Sequence, residues 1–530
     1  MERSTDSDMS VPISIFNDVI GPVMRGPSSS HCAAALRIGR LARDLMGGDI
    51  EEVLVEFDEH GALATTHQSQ GSDMGLFGGL MGWDTTDEKL INSAKAIREA
   101  GIFVNIKIGD FHDPHPNTYR LTLSNVRESH MLTAVSTGGG MVEVTQIDGI
   151  PVTMAGDFLE TLIYVNGEGQ KILECLSNTF EDDAIFVHKV QGSQLIQIKA
   201  DSFVNEELID SIRSRHDIRY IRRIAPVLPI LSRKDMQIPF SNYQQMLKYD
   251  AGRDMPLWKL ALNYESERGV IPCKDVLARM VEIVHTVRRS IEQGIRGTKY
   301  EDRIIGYQCG SFKERIETGH LLDAGLMNRI ILYVTALMEV KSSMGVIVAA
   351  PTAGACAALP GACLAASDAL RLTDEDAARA MLAGGLIGIF IAGKSTFAAE
   401  EAGCQAECGS GSGMAAAALV TLAGGSTKQA VAAASMALQN SLGMICDPVA
   451  NRVEVPCLGK NIMAAVNALA CANMAMADYD PVIPMTEVIE TMDRVGRSLP
   501  RELRCTALGG LSITKTSKEI ELRLQSKNTE

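Results

Sequence analysis

A chain of 530 residues is too long for one hydrophobic core, and about two to four domains are expected. Its 46% hydrophobic and 22% charged residues are those of an ordinary globular protein. A net charge of −15 with a pI near 5.3 excludes a surface built to hold nucleic acid, which needs concentrated Lys and Arg.

The opening MERSTDSDMS is polar and acidic and has no signal-peptide core, so a cytoplasmic, reducing setting without a membrane partner is expected. There the twelve cysteines read as buried thiols or metal ligands rather than disulfides. Strand-like runs (VLVEF, VNIKIG, YRLTL, MVEVTQI) mixed with helical stretches predict an α+β domain over 1–155. Residues 156–228 carry a compact pattern: strand TLIYV, helix QKILECLSN, strands AIFVHKV and LIQIKA, helix NEELIDSIRS, strand IRYIRRI. That order predicts a ferredoxin-like module, a kind that often binds small regulatory ligands.

The stretch APVLPILSRKDMQIP, with three prolines, reads as a linker. Strand signals then nearly vanish. Residues 229–517, rich in Ala, Met, Leu and Gly, predict an all-α domain with small residues at the helix crossings. The uncharged run Met344 to Ala366 is long enough for a bilayer, but its Ala and Gly content and its two prolines make it a buried helical element. Residues 518–530 read as a tail that frays.

Four stretches are candidate sites. GIFIAGKS (388–395) satisfies the phosphate-loop spacing, but Ile, Phe, Ile and Ala fill the loop within an apolar helical segment, so the match reads as accidental. GSGSG (409–413) lacks the strand of a dinucleotide fingerprint, and close helix packing or approach to a cofactor suits it better. Lys394 and Lys460 lack a neighbouring phosphate cup for pyridoxal phosphate and read as solvated or substrate-facing. Cys404, Cys446 and Cys457 sit in short separated loops that suit convergence on iron, and equally suit small buried hydrophobes. In GPSSSHC (26–32), exposed hydroxyls and amides before a helix suit carboxylate binding, with His31 able to move a proton. The same stretch also suits a plain serine-rich helix cap.

Taken together and in order, GPSSSH, STGGG, APTAGAC, AGCQAE, MAAAAL, QNSLGMICDPV and VPC with a following Asn and MAAVNAL resemble the iron–sulfur-dependent L-serine dehydratases. The likeness runs from Val11 to about Thr516, with β and α parts fused and an ACT-like module between them. It implies a [4Fe–4S] cluster on Cys404, Cys446 and Cys457, with Cys408 a neighbour, and no pyridoxal phosphate. It also implies a substrate pocket lined by Ser28, Ser29, Ser30 and His31, with Gly138, Gly139 and Gly140 beside them. The reaction implied is loss of water from L-serine to an enamine that hydrolyses to pyruvate and ammonia. A small-molecule effector at the ACT-like module and a homo-oligomer are expected with it.

Several positions depart from the family pattern. ALATTHQSQGSD has Gln70 where the family has a histidine that is a candidate base, and His67, three residues earlier, is the displaced alternative. Cys32 replaces a usual threonine, and YQCG (307–310) and AGKST (392–396) replace usual pocket segments. These departures keep two rivals open: a lyase for another small β-substituted acid, and a ligand sensor that has lost its base.

Overall fold

The computed structural model describes residues 12–527 apart from 168, 182–183, 191 and 233–235, so the acidic opening lies outside the described residues. A two-residue strand, β1 (Val23–Met24), leads into α1 (Ala34–Leu45). A six-stranded sheet follows, built from β2 (Glu52–Asp58), β3 (Phe103–Gly109), β4 (Thr118–Ser124), β5 (Ser129–Gly138), β6 (Met141–Ile147) and β7 (Ile150–Met154). Its order is β3-β2-β4-β5-β6-β7, with β2 and β3 parallel and every other pair antiparallel. Alternation along β2 turns Val53, Val55 and Phe57 inward, as a one-sided sheet requires.

Helices α2 (Leu63–Thr66), α3 (Ser72–Leu80) and α4 (Ser93–Glu99) lie between β2 and β3. Helices α1 and α3 touch through backbone: a Cβ at Gly79 would stand 2.1 Å from the Leu36 carbonyl, so any larger residue would part them. Their inner faces share one apolar core with the sheet, from Ile38 and Leu41 to Leu121 and Val144.

The next unit runs β8 (Leu159–Asn166), α5 (Gln170–Ser177), β9 (Ile185–Val190), β10 (Ser193–Ala200), α6 (Glu206–Arg215) and β11 (Ile218–Ile224). Its strands order β11-β8-β10-β9, all antiparallel, over a separate core that includes Ile163, Ile172, Ile196 and Ile209.

The remainder is helical: α7 (Tyr243–Asp250), α8 (Leu257–Gly269), α9 (Cys273–Arg296), α10 (Cys309–Glu317), α11 (Leu326–Ser342), α12 (Ala358–Leu370), α13 (Asp374–Ala392), α14 (Ala399–Ala402), α15 (Ser410–Leu422), α16 (Thr427–Gln439), α17 (Cys457–Met476), α18 (Met485–Ser498) and α19 (Lys515–Lys527). One short strand, β12 (Ile347–Val348), pairs antiparallel with β1 and ties the two halves. Helix α15, mostly Ala, Gly and Ser, is packed among α12, α13, α16 and α17, where small side chains let backbones approach. The apolar stretch Ala353–Leu370 is long enough to cross a membrane, and 83% of it is buried within the protein.

Two expectations are corrected here. The proline-rich stretch is not a free linker, because Asn17 and Ile230 exchange hydrogen bonds and Ile230 sits in the helical core. Residues 518–527 are not a frayed tail but most of α19, held where Ser517 Oγ accepts from Ala450 N at 2.7 Å and Leu524 is buried.

Candidate active site

The site has two faces, one from each half of the chain. On the first, residues Ser29–Ala33 form a single π-helical turn that runs straight into α1. The hydroxyls expected to be exposed are buried, because the helical half closes on them. Ser29 Oγ accepts from Ala353 N at 3.0 Å, and Ser30 Oγ donates to Glu400 Oε1 at 2.7 Å.

The neighbouring bonds set the His31 tautomer. Thr66 Oγ1 gives its one proton to the Ala62 carbonyl at 2.6 Å, so at 2.7 Å it accepts from His31 Nε2–H. The Nδ1 lone pair of the neutral ring then faces Ser28 Oγ at 3.2 Å, Ser30 Oγ at 3.1 Å and Glu400 Oε1 at 3.4 Å. Burial holds the His31 pKa below its ordinary 6.5, against the upward pull of Glu400, so the imidazole is neutral and able to accept a proton.

STGGG is the turn from β5 to β6. Gly138, Gly139 and Gly140 have φ of +102°, +61° and +92°, a run that only glycines adopt without strain. Ser136 Oγ donates to the Ser30 carbonyl at 2.7 Å, and a Cβ on Gly138 would meet Ala398 at 3.1 Å. The glycine turn thus lies between the serine turn and the segment that carries Glu400. His67 is placed differently: its Nδ1 pairs with Asp73 at 2.7 Å and its ring packs on Phe57. Gln70 points across to the other face, donating to Asn451 Oδ1 at 3.1 Å and to Cys505 Sγ at 3.6 Å.

The second face is made of thiols. Cys404 ends a reversal at Gly403 (φ +71°), and Gln405–Gly409 form another π-helical turn entering α15. Gln405 joins this loop to the next, accepting from Gly443 N at 2.9 Å while its backbone N donates to the Met444 carbonyl at 3.0 Å. Cys446 pairs with the 503–505 segment through backbone hydrogen bonds, which gathers Cys404, Cys446 and Cys505 into one buried cluster. Ligand atoms of Cys404, Glu407 and Cys446 lie within 4.8 Å of one another.

Cys457 opens α17, where unpaired amides favour negative charge. Asn461 fixes it by donating to the Cys457 carbonyl at 2.9 Å and the Gly354 carbonyl at 2.7 Å. Cys408 packs instead among Ala355, Ala358 and Ala464, in a small apolar cluster of its own.

Charge is arranged to match. Hydrogen bonds that the Cys446 thiol donates to Cys404 and Cys505, followed by burial, raise the Cys446 pKa, and burial raises that of Cys457. Lys341 and Lys460 act in the opposite direction on Cys457. Of the two expectations for Lys460, solvated or substrate-facing, the first is corrected: it donates to the Ile445 carbonyl at 2.6 Å and to Asp447 Oδ1 at 2.9 Å, bracketing Cys446. Lys341 is buried and donates to the Val453 carbonyl. Buried unpaired thiols facing two lysines, without a disulfide among the described residues, are a donor set that fits an iron–sulfur cluster.

Lys394 stands apart, beyond the end of α13 and 3.6 Å from Glu490, and no strand precedes it as a phosphate loop requires. Sequence reading missed Glu400, Glu407, Lys341, Asn451 and Cys505. Glu407 ends the AGCQAE motif and Glu400 lies two residues before it, so both carried a signal; Lys341 and Cys505 had none, because distant segments bring them in.

A family profile described as "Serine dehydratase alpha chain" matches residues 252–512. The probable L-serine dehydratase alpha chain of Bacillus subtilis is 33% identical over 285 residues, covering 54% of this chain and 95% of that one. The probable beta chain of the same organism is 32% identical over 219 residues, 40% of this chain and 98% of that one. The L-serine dehydratase alpha chain of Peptoniphilus asaccharolyticus is 34% identical over 271 residues, 51% of this chain and 92% of that one. With separate alpha-type and beta-type relatives matched over nearly their full lengths, the chain belongs to the L-serine dehydratase family.

Proposed function

We propose that the protein is an L-serine ammonia-lyase that converts L-serine to pyruvate and ammonia, with Cys404, Cys446 and Cys457 holding a [4Fe–4S] cluster. The observation that carries this reading is the closure of a neutral, buried His31 and a cluster of buried thiols into one interface between the two halves. Held by these cysteines, such a cluster would supply Lewis-acid chemistry for loss of the hydroxyl.

The chain's own groups do the rest. Ser28 offers its hydroxyl to the substrate carboxylate beside the glycine turn, while Ser30 stays bonded to Glu400. His31 Nδ1 takes the Cα proton, and Glu400 at 3.4 Å stabilises the imidazolium that forms. Loss of the Cβ hydroxide leaves an enamine, whose tautomerisation and hydrolysis give the 2-oxo acid and ammonia. Burial of the whole constellation excludes bulk water during the proton transfer.

The unit over Leu159–Ile224 reads as the ACT-like module, placed between the β-type and α-type domains and open to a small effector. Its strand order and separate core support that reading. Gln70 favours a second reading of the same chemistry, on another small β-substituted amino acid, because an amide reaches the thiol face where the family has an imidazole. The test is ammonia release by anaerobically purified protein over a panel of β-hydroxy and β-thiol amino acids. L-serine should turn over fastest. Faster release from another member supports the second reading, and no release from any member overturns both.

A further inference from the structure

A cavity of about 470 Å³ lies away from the thiols, where α1, the 226–229 segment and α9 meet. Its walls are apolar at Leu36, Val227 and Leu228, and three guanidiniums line it: Arg37, Arg40 and Arg279. In a chain of net charge −15, three arginines line this cleft against two acids, Asp84 and Glu282, so its lining carries more positive than negative groups.

Arg37 is the unusual member. It is only 3% exposed, yet its Nε has no hydrogen-bond partner among the described residues. Its Nη1 donates to the Gly140 carbonyl at 2.6 Å, and burial lowers its pKa to about 10, with Asp18 and Asp84 opposing that shift. A buried guanidinium with a free donor beside a cavity is costly to leave unsatisfied, and a carboxylate or phosphate oxygen satisfies it best.

We propose that this cavity binds a small aliphatic carboxylate, its oxygens on Arg37 and Arg40 and its hydrocarbon part against Leu36, Val227 and Leu228. The ligand is felt at the candidate active site through one contact path. Arg37 holds Gly140, and Pro22, a wall of the cavity, lies where a Cβ on Gly140 would stand 3.1 Å away. Gly138 at the other end of that turn rests on Ala398, two residues from Glu400. A ligand that draws on the Arg37 guanidinium changes its hold on the turn beside Ser30 and His31.

The binding half stands on geometry alone, and the coupling half rests on the lyase reading. Calorimetry with 3-methylbutanoate on the full chain, without substrate, tests binding, with inorganic phosphate as the second probe. Saturable binding of 3-methylbutanoate is expected, lost in Arg40→Gln and in the cavity-filling Thr286→Trp. Binding should change the apparent KM for L-serine by about 5-fold or more, the scale of ordinary allosteric coupling. Absence of binding, or binding that survives both substitutions, overturns the site. Phosphate binding in its place overturns the carboxylate assignment, and binding without any kinetic change overturns the coupling.

Discussion

The two faces of the candidate site are built by opposite means. The thiol face is mainly assembled within the helical half: Gln405 ties the Cys404 turn to the loop before Cys446, and Asn461 holds Cys457, at the start of α17, to Gly354. The imidazole face is finished only from outside. His31 and Ser30 lie in the π-helical turn that enters α1, but their acid, Glu400, lies 370 residues beyond Ser30 in the chain. One face is an anchorage and the other an assembly, so damage to them should separate into loss of iron and loss of proton transfer.

The largest effect that separates them is expected from His31→Ala. Turnover should fall by about 10²–10⁴, the range of a positioned base, while iron content stays that of the wild type. If His67→Ala takes the loss instead, the base is the displaced imidazole and the tautomer assignment at His31 carries no catalysis. Glu400→Gln should cost about 10–100-fold in kcat, the worth of a hydrogen bond to a charged group.

The pH response of Glu400→Gln has a definite sign. Glu400 raises the His31 pKa against the downward pull of burial, so its removal lowers that pKa further. The acid limb of kcat/KM, already below the ordinary imidazole value of 6.5, should move to lower pH in the variant. An unmoved limb would mean that the limb reports another group.

A smaller effect belongs to the thiol face. Lys460→Met leaves Asp447 Oδ1 and the Ile445 carbonyl without the Lys460 donor, costing about 1–3 kcal/mol of stability. Iron should dissociate faster from this variant, and the pH profile of the iron-loaded fraction should match wild type. The smallest effect is none. Lys394→Ala should leave the melting temperature unresponsive to ATP, as in wild type, since a ligand shifts stability only if it binds.

Much of this was legible in the sequence, for reasons that differ by region. Period-two runs such as VLVEF and MVEVTQI gave strands where they form, since alternation survives any tertiary context that buries one side. Local motifs located both π-helical turns and the glycine turn. Burial was less legible: Ser28–Ser30 are hydrophilic by composition, and only closure of the helical half hides them. Lys460 likewise looked solvated until Asp447 and Ile445 enclosed it. Cys505 could not be found at all, because a lone cysteine gains meaning only when a backbone pairing with Cys446 sets it beside two others.

The most direct test is an iron count with an absorption spectrum, on anaerobically purified wild type and on single Ser variants of Cys404, Cys446, Cys457 and Cys408. The account predicts about four irons per chain and a brown protein for wild type and Cys408→Ser, the content of one cubane cluster. It predicts loss of iron from each of the other three. A colourless wild-type protein that releases ammonia from L-serine at full rate would contradict it.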